Sequence, residues 1–457
     1  MRKLTDGSIP RHTIAMSIPT AVGLLVQTLY HLVDLYFVAG LGDAALAGVS
    51  SAGIAMFIIM AMTQVLGVGT VAMISHAAGR GDQVEANLVF NQSMVLSILG
   101  AGLTLALGYG LGARYMGMIG ADAATVTAGT TYLYYFIPCL AIQFAFTAMG
   151  SALRGTGIVK PTMVVQLLTV LINILLAPVL IAGWGTGVPL GVAGAGLASS
   201  LAAGMGFIIM WFYFHKLEEY VKFNRHQWRP IMTIWRRLVG IGLPAGGEFA
   251  LMFIYMMVIY TVIRDFGAAA QAGFGLGSRV MQAIFLPAMA IAFSAPAIAG
   301  QNFGAGKSAR VRATFTSAML MSSCIMFLLT LLCQFKPEWF VGAFTDEADV
   351  LQVGTDFLRI ISWNLVATGI IFTCSGMFQA LGNTWPALWS GATRLLTFAV
   401  PVIWLSTQPE FKLVYVWYMS VITVPLQALV SYLFVRHEFR RRLDPVVVET
   451  TAQQAEG

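Results

Sequence analysis

The run Ser17-Ile-Pro-Thr-Ala-Val-Gly-Leu-Leu-Val-Gln-Thr-Leu-Tyr-His-Leu-Val-Asp34 carries one ionised side chain, at its end, and its opening Ser-Ile-Pro returns 225 positions later as Gly242-Leu-Pro244. The same offset links Gly42 with Gly267, Ala47 with Ala272, Gly48 with Gly273 and Gly79 with Gly304. It also links Gly81 with Gly306, Gly157 with Gly382 and Pro161 with Pro386. Self-similarity at one spacing marks an internal duplication. The offset holds from 19 to 161, so the first five apolar stretches correspond to the seventh to eleventh without insertion.

Of 457 residues, 58% are hydrophobic and 10% charged, against about 25% charged in a soluble domain. Such a chain has the bilayer as its solvent. A span needs roughly 20 apolar residues, and twelve stretches qualify, near 14–39, 44–76, 88–112, 124–152, 159–183, 190–215, 237–263, 268–298, 312–335, 349–379, 385–406 and 412–435. Backbone in lipid must satisfy its own hydrogen bonds, so spans of this length are helices. The expected class is an all-α polytopic membrane protein with twelve transmembrane helices in two six-helix bundles. Six is an even number, so the copies share one orientation and form a parallel repeat about an axis along the membrane normal. The expected division is an N-terminus over 1–13, bundles over 14–215 and 237–435, a connector over 216–236 and a polar tail over 436–457.

The formal charge of +6 does not indicate a nucleic-acid partner, because nearly all Lys and Arg fall in the short connectors. There they act as topology signals: nineteen lie on the side of the N-terminus and four on the other, placing both termini in the cytoplasm. The connector from Lys216 to Arg237 holds Trp228 and Trp235 among basic residues, which suits a segment at the membrane interface or a solvated linker equally. The first stretch is longer than a signal-peptide core and lacks a small-residue cleavage site, so it is read as retained. Cys139, Cys324, Cys333 and Cys374 lie in apolar segments with no disulfide or metal spacing. No metalloprotease, nucleophile-elbow or phosphate-loop motif occurs, which disfavours an enzyme and ATP-driven transport. Two bundles around a central site suit alternating access, whereas the repeated carbonyl or charged rings of a channel filter are not seen.

Ionisable groups inside a span cost about 2.5–3.5 kcal/mol each on insertion scales, so each needs a reason. Gln27, His31 and Asp34 stand at i, i+4 and i+7 on one stripe of the first span, with Tyr30 one turn before Asp34. A carboxyl at lipid depth can take up and release a proton. Asp34 is accordingly the leading functional candidate, while His31 reads equally well as a buried hydrogen-bond partner. Glu248, four residues past Pro244, is the main acid of the second half, with a functional or gating role. Asp356 and Arg359 are spaced to form an ion pair on span ten. Arg279 and Arg394 suit interhelix contacts or snorkelling. Asn173 and Ser199 can join helices by hydrogen bonds, and Met252, Met256 and Met257 can line an adaptable pocket.

These features resemble the multidrug and toxic compound extrusion (MATE) family over about residues 10–440. The residues that carry the likeness are Pro19 followed by Asp34, Gly42-Asp43 with Ala-Leu-Ala-Gly, and Ala-Gly-Arg-Gly-Asp at 78–82. Ala-Leu-Arg-Gly-Thr-Gly before span five and Asn173 near a following proline complete it. The resemblance implies a V-shaped, cation-coupled exporter of organic, mainly cationic or amphiphilic compounds in a bacterial cytoplasmic (inner) membrane, working as a monomer without a cofactor. It implies proton or cation binding at Asp34, Asn173 and Ser199, and a substrate cavity drawing on Gln27, Tyr30, Tyr132 and Glu248; His31, Met252 and Met256 join that cavity on their places in spans one and seven. Several members have Asp or Asn one turn after the matching asparagine, where this chain has Ala177. With one oxygen fewer a hard cation is less well held, which favours proton over sodium coupling. The alternatives are a flippase of lipid-linked sugars, whose cavity needs several basic residues to meet a pyrophosphate, and a non-transporting membrane receptor or scaffold.

Overall fold

The computed structural model describes residues 1–120, 122–342 and 347–444, and the side chains at 31, 32, 34, 35, 54 and 268 fall outside that description. Among the described residues there are helices and no strands. The first copy contains α1 (Ile9–Ala39), α2 (Asp43–Arg80), α3 (Gln83–Ile119), α4 (Ala123–Gly155), α5 (Lys160–Ile181) and α6 (Val192–Lys216). The second contains α7 (Met232–Ile263), α8 (Ala268–Gly304), α9 (Ser308–Phe335), a short α10 (Pro337–Gly342), α11 (Ala348–Ile361), α12 (Leu365–Ala380), α13 (Trp385–Ser406) and α14 (Leu413–Leu443). Twelve stretches are long and apolar enough to cross a membrane, with α11 and α12 forming one of them.

The 225-residue offset reappears in the helix boundaries. α2, α3 and α5 begin at 43, 83 and 160, and α8, α9 and α13 begin at 268, 308 and 385. Helix ends explain why glycines keep the frame. Gly81, Gly157, Gly306 and Gly382 all have φ between 70° and 81°, the left-handed conformation that closes a helix without a Cβ clash. Each closing turn repeats the same two bonds, as when Gly81 N–H donates to Ala78 O and Asp82 N–H to Ala77 O, or Gly306 N–H to Phe303 O and Lys307 N–H to Asn302 O. Past α5 the register changes: α6 starts at 192 and α14 at 413, an offset of 221, because the loop before α14 is shorter.

The tenth stretch is not one straight helix. A 3-10 turn at Ser362–Asn364 separates α11 from α12 without a proline or glycine there. Side chains of α9 hold the released carbonyls, with Gln334 Nε2 donating to Arg359 O at 2.6 Å and Thr330 Oγ1 to Ser362 O at 3.0 Å. In the first copy Pro138 interrupts α4 at the equivalent place. Proline has no N–H for the carbonyl one turn back, and Tyr109 Oη donates to that carbonyl, Tyr134 O, at 3.1 Å.

By contacts the chain forms two compact units, one of Met1–Lys3 with Val22–Gly246 and one of Leu4–Ala21 with Gly247–Gly457. The division cuts α1 and α7 two residues after Pro19 and Pro244. It differs from bundles over 14–215 and 237–435, because the start of α1 packs with the second copy and the start of α7 with the first. In the first unit a Cβ on Gly69 would lie 2.3 Å from Leu238 O, so α2 and the start of α7 touch backbone to backbone. In the second unit Ser17 Oγ donates to Ser294 Oγ at 3.2 Å.

The connector is folded. Buried Asn91 and Gln92 of α3 hold it by side-chain amides: Asn91 Nδ2 donates to Lys222 O, Trp228 Nε1–H donates to Asn91 Oδ1, and Gln92 Nε2 donates to Gln227 O and Arg229 O. Each unit has its own core. Phe90 stacks on Phe214 at 4.9 Å in the first, and Phe274 on Trp417 at 5.5 Å in the second. Without a hydrophobic drive between helices in lipid, such close packing and small-residue contacts hold membrane bundles together.

Candidate functional site

In the first unit, small residues let α6 approach its neighbours closely. A Cβ on Gly194 would lie 2.4 Å from Leu180 O of α5, and one on Gly196 would lie 2.6 Å from Tyr132 O of α4. This seats Ser199 against α5, where Asn173 Nδ2 donates to Ser199 Oγ at 3.4 Å. Both residues are fully buried, and Asn173 Oδ1 has no hydrogen-bond partner among the described residues. An amide oxygen sealed from water without a donor is costly, and it leaves an acceptor available to a proton-bearing group or a cation. One turn on, Ala177 lies in an apolar cluster with Val38, Tyr132 and Ile181.

The outer part of α1, from Val22, belongs to this unit. A Cβ on Gly23 would lie 2.5 Å from Gln166 Oε1 of α5, so the two helices meet there. Gln27 and Tyr30 are half-buried on α1. His31 and Asp34 lie on the same helix, and their side chains are outside the described ones. Tyr132 is buried and stacks on Phe136 at 5.0 Å, inside the core of the unit.

The second unit arranges its polar groups differently. Glu248 is half-buried on α7 and accepts a hydrogen bond from Ser375 Oγ of α12 at 3.0 Å. Among the described salt bridges none involves Glu248. Two turns further along α7, Tyr255 is 9% exposed and has the Arg394 guanidinium 4.2 Å from its ring centroid. Phe398 packs on the same ring at 4.6 Å. The Tyr255 hydroxyl and Ser420 Oγ are 3.2 Å apart, and Asn364 Nδ2 donates to Ser420 Oγ at 3.2 Å. Met252 is exposed on α7, and Met256 is packed against the core.

Two sequence expectations change. Arg359 pairs with Glu338 of α10 at 2.9 Å, and Asp356 is exposed. A helix face alone cannot reveal a partner delivered by a neighbouring short helix. Arg279 is exposed, whereas Arg394 is half-buried, in register with the buried Ser390, Phe398 and Val402 of α13. Ser375, Asn364 and Ser420 escaped sequence reasoning, since a lone hydroxyl or amide in a span is ordinary helix glue. Their only sequence signal is their place in the repeat frame, facing Glu248 and Tyr255.

The MatE family model matches residues 19–179 and 244–405, two segments that begin at Pro19 and Pro244. The multidrug export protein MepA of Staphylococcus aureus is 26% identical over 372 residues, 80% of each chain. The probable multidrug resistance protein YpnP of Bacillus subtilis is 23% identical over 383 residues, 83% of this chain and 84% of that one. Among solved structures, the outward-facing conformation of a multidrug resistance MATE family transporter of the MOP superfamily has the same fold, with a TM-score of 0.90 at 24% identity. It covers 97% of this chain and 98% of that one. A MATE crystal structure in the bent conformation matches equally, with a TM-score of 0.90 at 24% identity and the same coverage. With twelve candidate membrane helices in a duplicated frame and a family match across most of both copies, this chain belongs to the MatE family of membrane transporters, which are not enzymes.

Proposed function

We propose that this protein is a secondary active exporter of organic, mainly cationic or amphiphilic compounds, exchanging them for protons by alternating access. The relatives named as multidrug export and multidrug resistance proteins support the cargo class. The observation that carries the coupling site is the buried Asn173–Ser199 pair with its unmatched Asn173 oxygen, in the unit that contains the α1 segment bearing Asp34. Cargo binds while Asp34 is ionised. A proton entering from outside neutralises Asp34, weakens the hold on a cation, lets α1 bend at Pro19 and releases the cargo outward. The cycle works because cargo affinity differs between the two protonation states.

Ala177, fully buried among apolar side chains, supports protons over sodium. It removes an oxygen from a position one turn past Asn173, and a hard cation needs about six. Both termini lie in the cytoplasm of a bacterial inner membrane on the charge count. Glu248, held by Ser375, supplies a second carboxylate for cationic cargo. The test is efflux from proteoliposomes under a pH gradient and a sodium gradient imposed separately. The pH gradient alone is expected to drive wild-type efflux, and Asp34→Asn is expected to abolish that drive. Retained proton-driven efflux in the variant rejects the assignment.

A further inference from the structure

In the second unit, Arg394 stands in register with the buried stripe of α13, lies over the Tyr255 ring and has no carboxylate within ion-pair distance among the described residues. Its Nε–H is buried without an acceptor. Around the same Tyr255–Ser420 pair, the buried Asn364 has an oxygen with no donor among the described residues. A second such oxygen belongs to Gln427, two turns after Ser420 on α14. In the first copy the matching positions are Thr169 and Gly206, which touch: a Cβ on Gly206 would lie 2.2 Å from Thr169 Oγ1. Arg394 and Gln427 stand at the corresponding places on α13 and α14. Thr169 satisfies itself on its own helix by donating to Val165 O at 2.9 Å. Arg394 has no such escape, because a guanidinium has five donors and accepts nothing.

We propose that Arg394, seated on Tyr255 in the unit that also buries Asn364, Ser420 and Gln427, binds a carboxylate carried by the transported compound. The guanidinium fork matches a carboxylate in a bidentate pair, and the amide oxygens accept from hydroxyl or N–H groups beside it. Glu248 lies seven residues earlier on the same face of α7, roughly 10 Å away along the axis at 1.5 Å per residue. The two charges together fit a zwitterionic amphiphile, its cationic centre toward Glu248 and its carboxylate on Arg394. This inference rests on the exporter reading and narrows its substrate class.

The experiment compares proton-driven export of rhodamine B, a zwitterion with a free carboxylate, and of its methyl ester, a permanent cation, from proteoliposomes. The ratio of acid to ester export is expected to fall at least tenfold in Arg394→Gln. Arg394→Lys keeps a cation in the seat but loses the fork, so a fall of at least threefold is expected, and this variant carries the test if the glutamine form does not assemble. An unchanged ratio in the variant that assembles, or a wild type that exports the ester but not the acid, overturns the proposal and leaves the exporter reading standing. A wild type that exports neither dye overturns both.

Discussion

α5 and α13 start at 160 and 385 and stop at 181 and 406, yet their buried stripes share little chemistry. Where α5 presents Thr169 and Asn173, α13 presents Arg394 and Phe398. The partner helices differ in the same way: Asp34 of α1 corresponds to Ile259 of α7, and Gly23 to Glu248. Ser199 and Ser420 correspond as well, but Ser199 meets Asn173 of α5, whereas Ser420 meets Tyr255 of α7 and Asn364 before α12. Helix ends and turn glycines are duplicated, while most buried polar groups and their partners are not. The first copy keeps an amide acceptor beside a carboxylate-bearing helix, and the second keeps a fixed guanidinium on an aromatic ring. The repeat supplies the frame, and the chemistry lies in the departures from it.

The sharpest way to break this contrast is Asn173→Leu. It removes the unmatched buried oxygen without opening a large cavity, so Tm is expected to hold or rise, while proton-driven efflux falls at least tenfold. A variant that loses stability and keeps coupling would make Asn173 structural. The mirror-image position behaves oppositely. Phe398 is fully buried on the Tyr255 ring, so Phe398→Ala is expected to cost about 3–5 kcal/mol of stability, read by thermal unfolding in detergent.

Smaller effects separate the copies near the ends of the spans. Gln92→Ala removes two donated bonds to the connector and the acceptor for Ile231 N–H. A loss of about 1–3 kcal/mol is expected, together with faster proteolysis between 216 and 231. The matching residue of the second copy is Ser317, which donates to Met321 Sδ on its own helix, so Ser317→Ala is expected to be nearly silent. The smallest effect concerns caps. Asp122 accepts from Thr125 N–H at 2.7 Å, and that bond holds its carboxyl below the usual range. A depressed folded value means the cap contributes above the unfolded value of about 3.9 and fades as pH falls through the folded one. Asp122→Asn is therefore expected to flatten the acid side of a Tm-against-pH curve slightly. Glu347, at the matching position before α11, makes no cap bond to its helix.

Span number, the duplication and the turn glycines were legible in the sequence, because length, hydropathy and positive-φ glycine are local properties. The Asn173–Ser199 pairing was legible as two polar residues in spans, though not as a contact. The break between α11 and α12 was not, since Ser362–Asn364 holds no helix breaker and the released carbonyls are satisfied from α9. The folded connector was hidden for the same reason: Asn91 and Gln92 look like ordinary polar residues at the start of a span. Arg394 could be flagged as a charge in a span, but its seat on Tyr255 depends on the packing of α7 against α13.

The measurement that bears most directly on coupling is isotope-edited infrared spectroscopy of the Asp34 carboxyl in lipid, titrated from about pH 5 to about pH 9 with and without a cationic cargo. Proton-coupled export predicts that the group changes protonation within this range and that cargo displaces the transition. A band that stays fixed across the titration, with cargo present or absent, would contradict it.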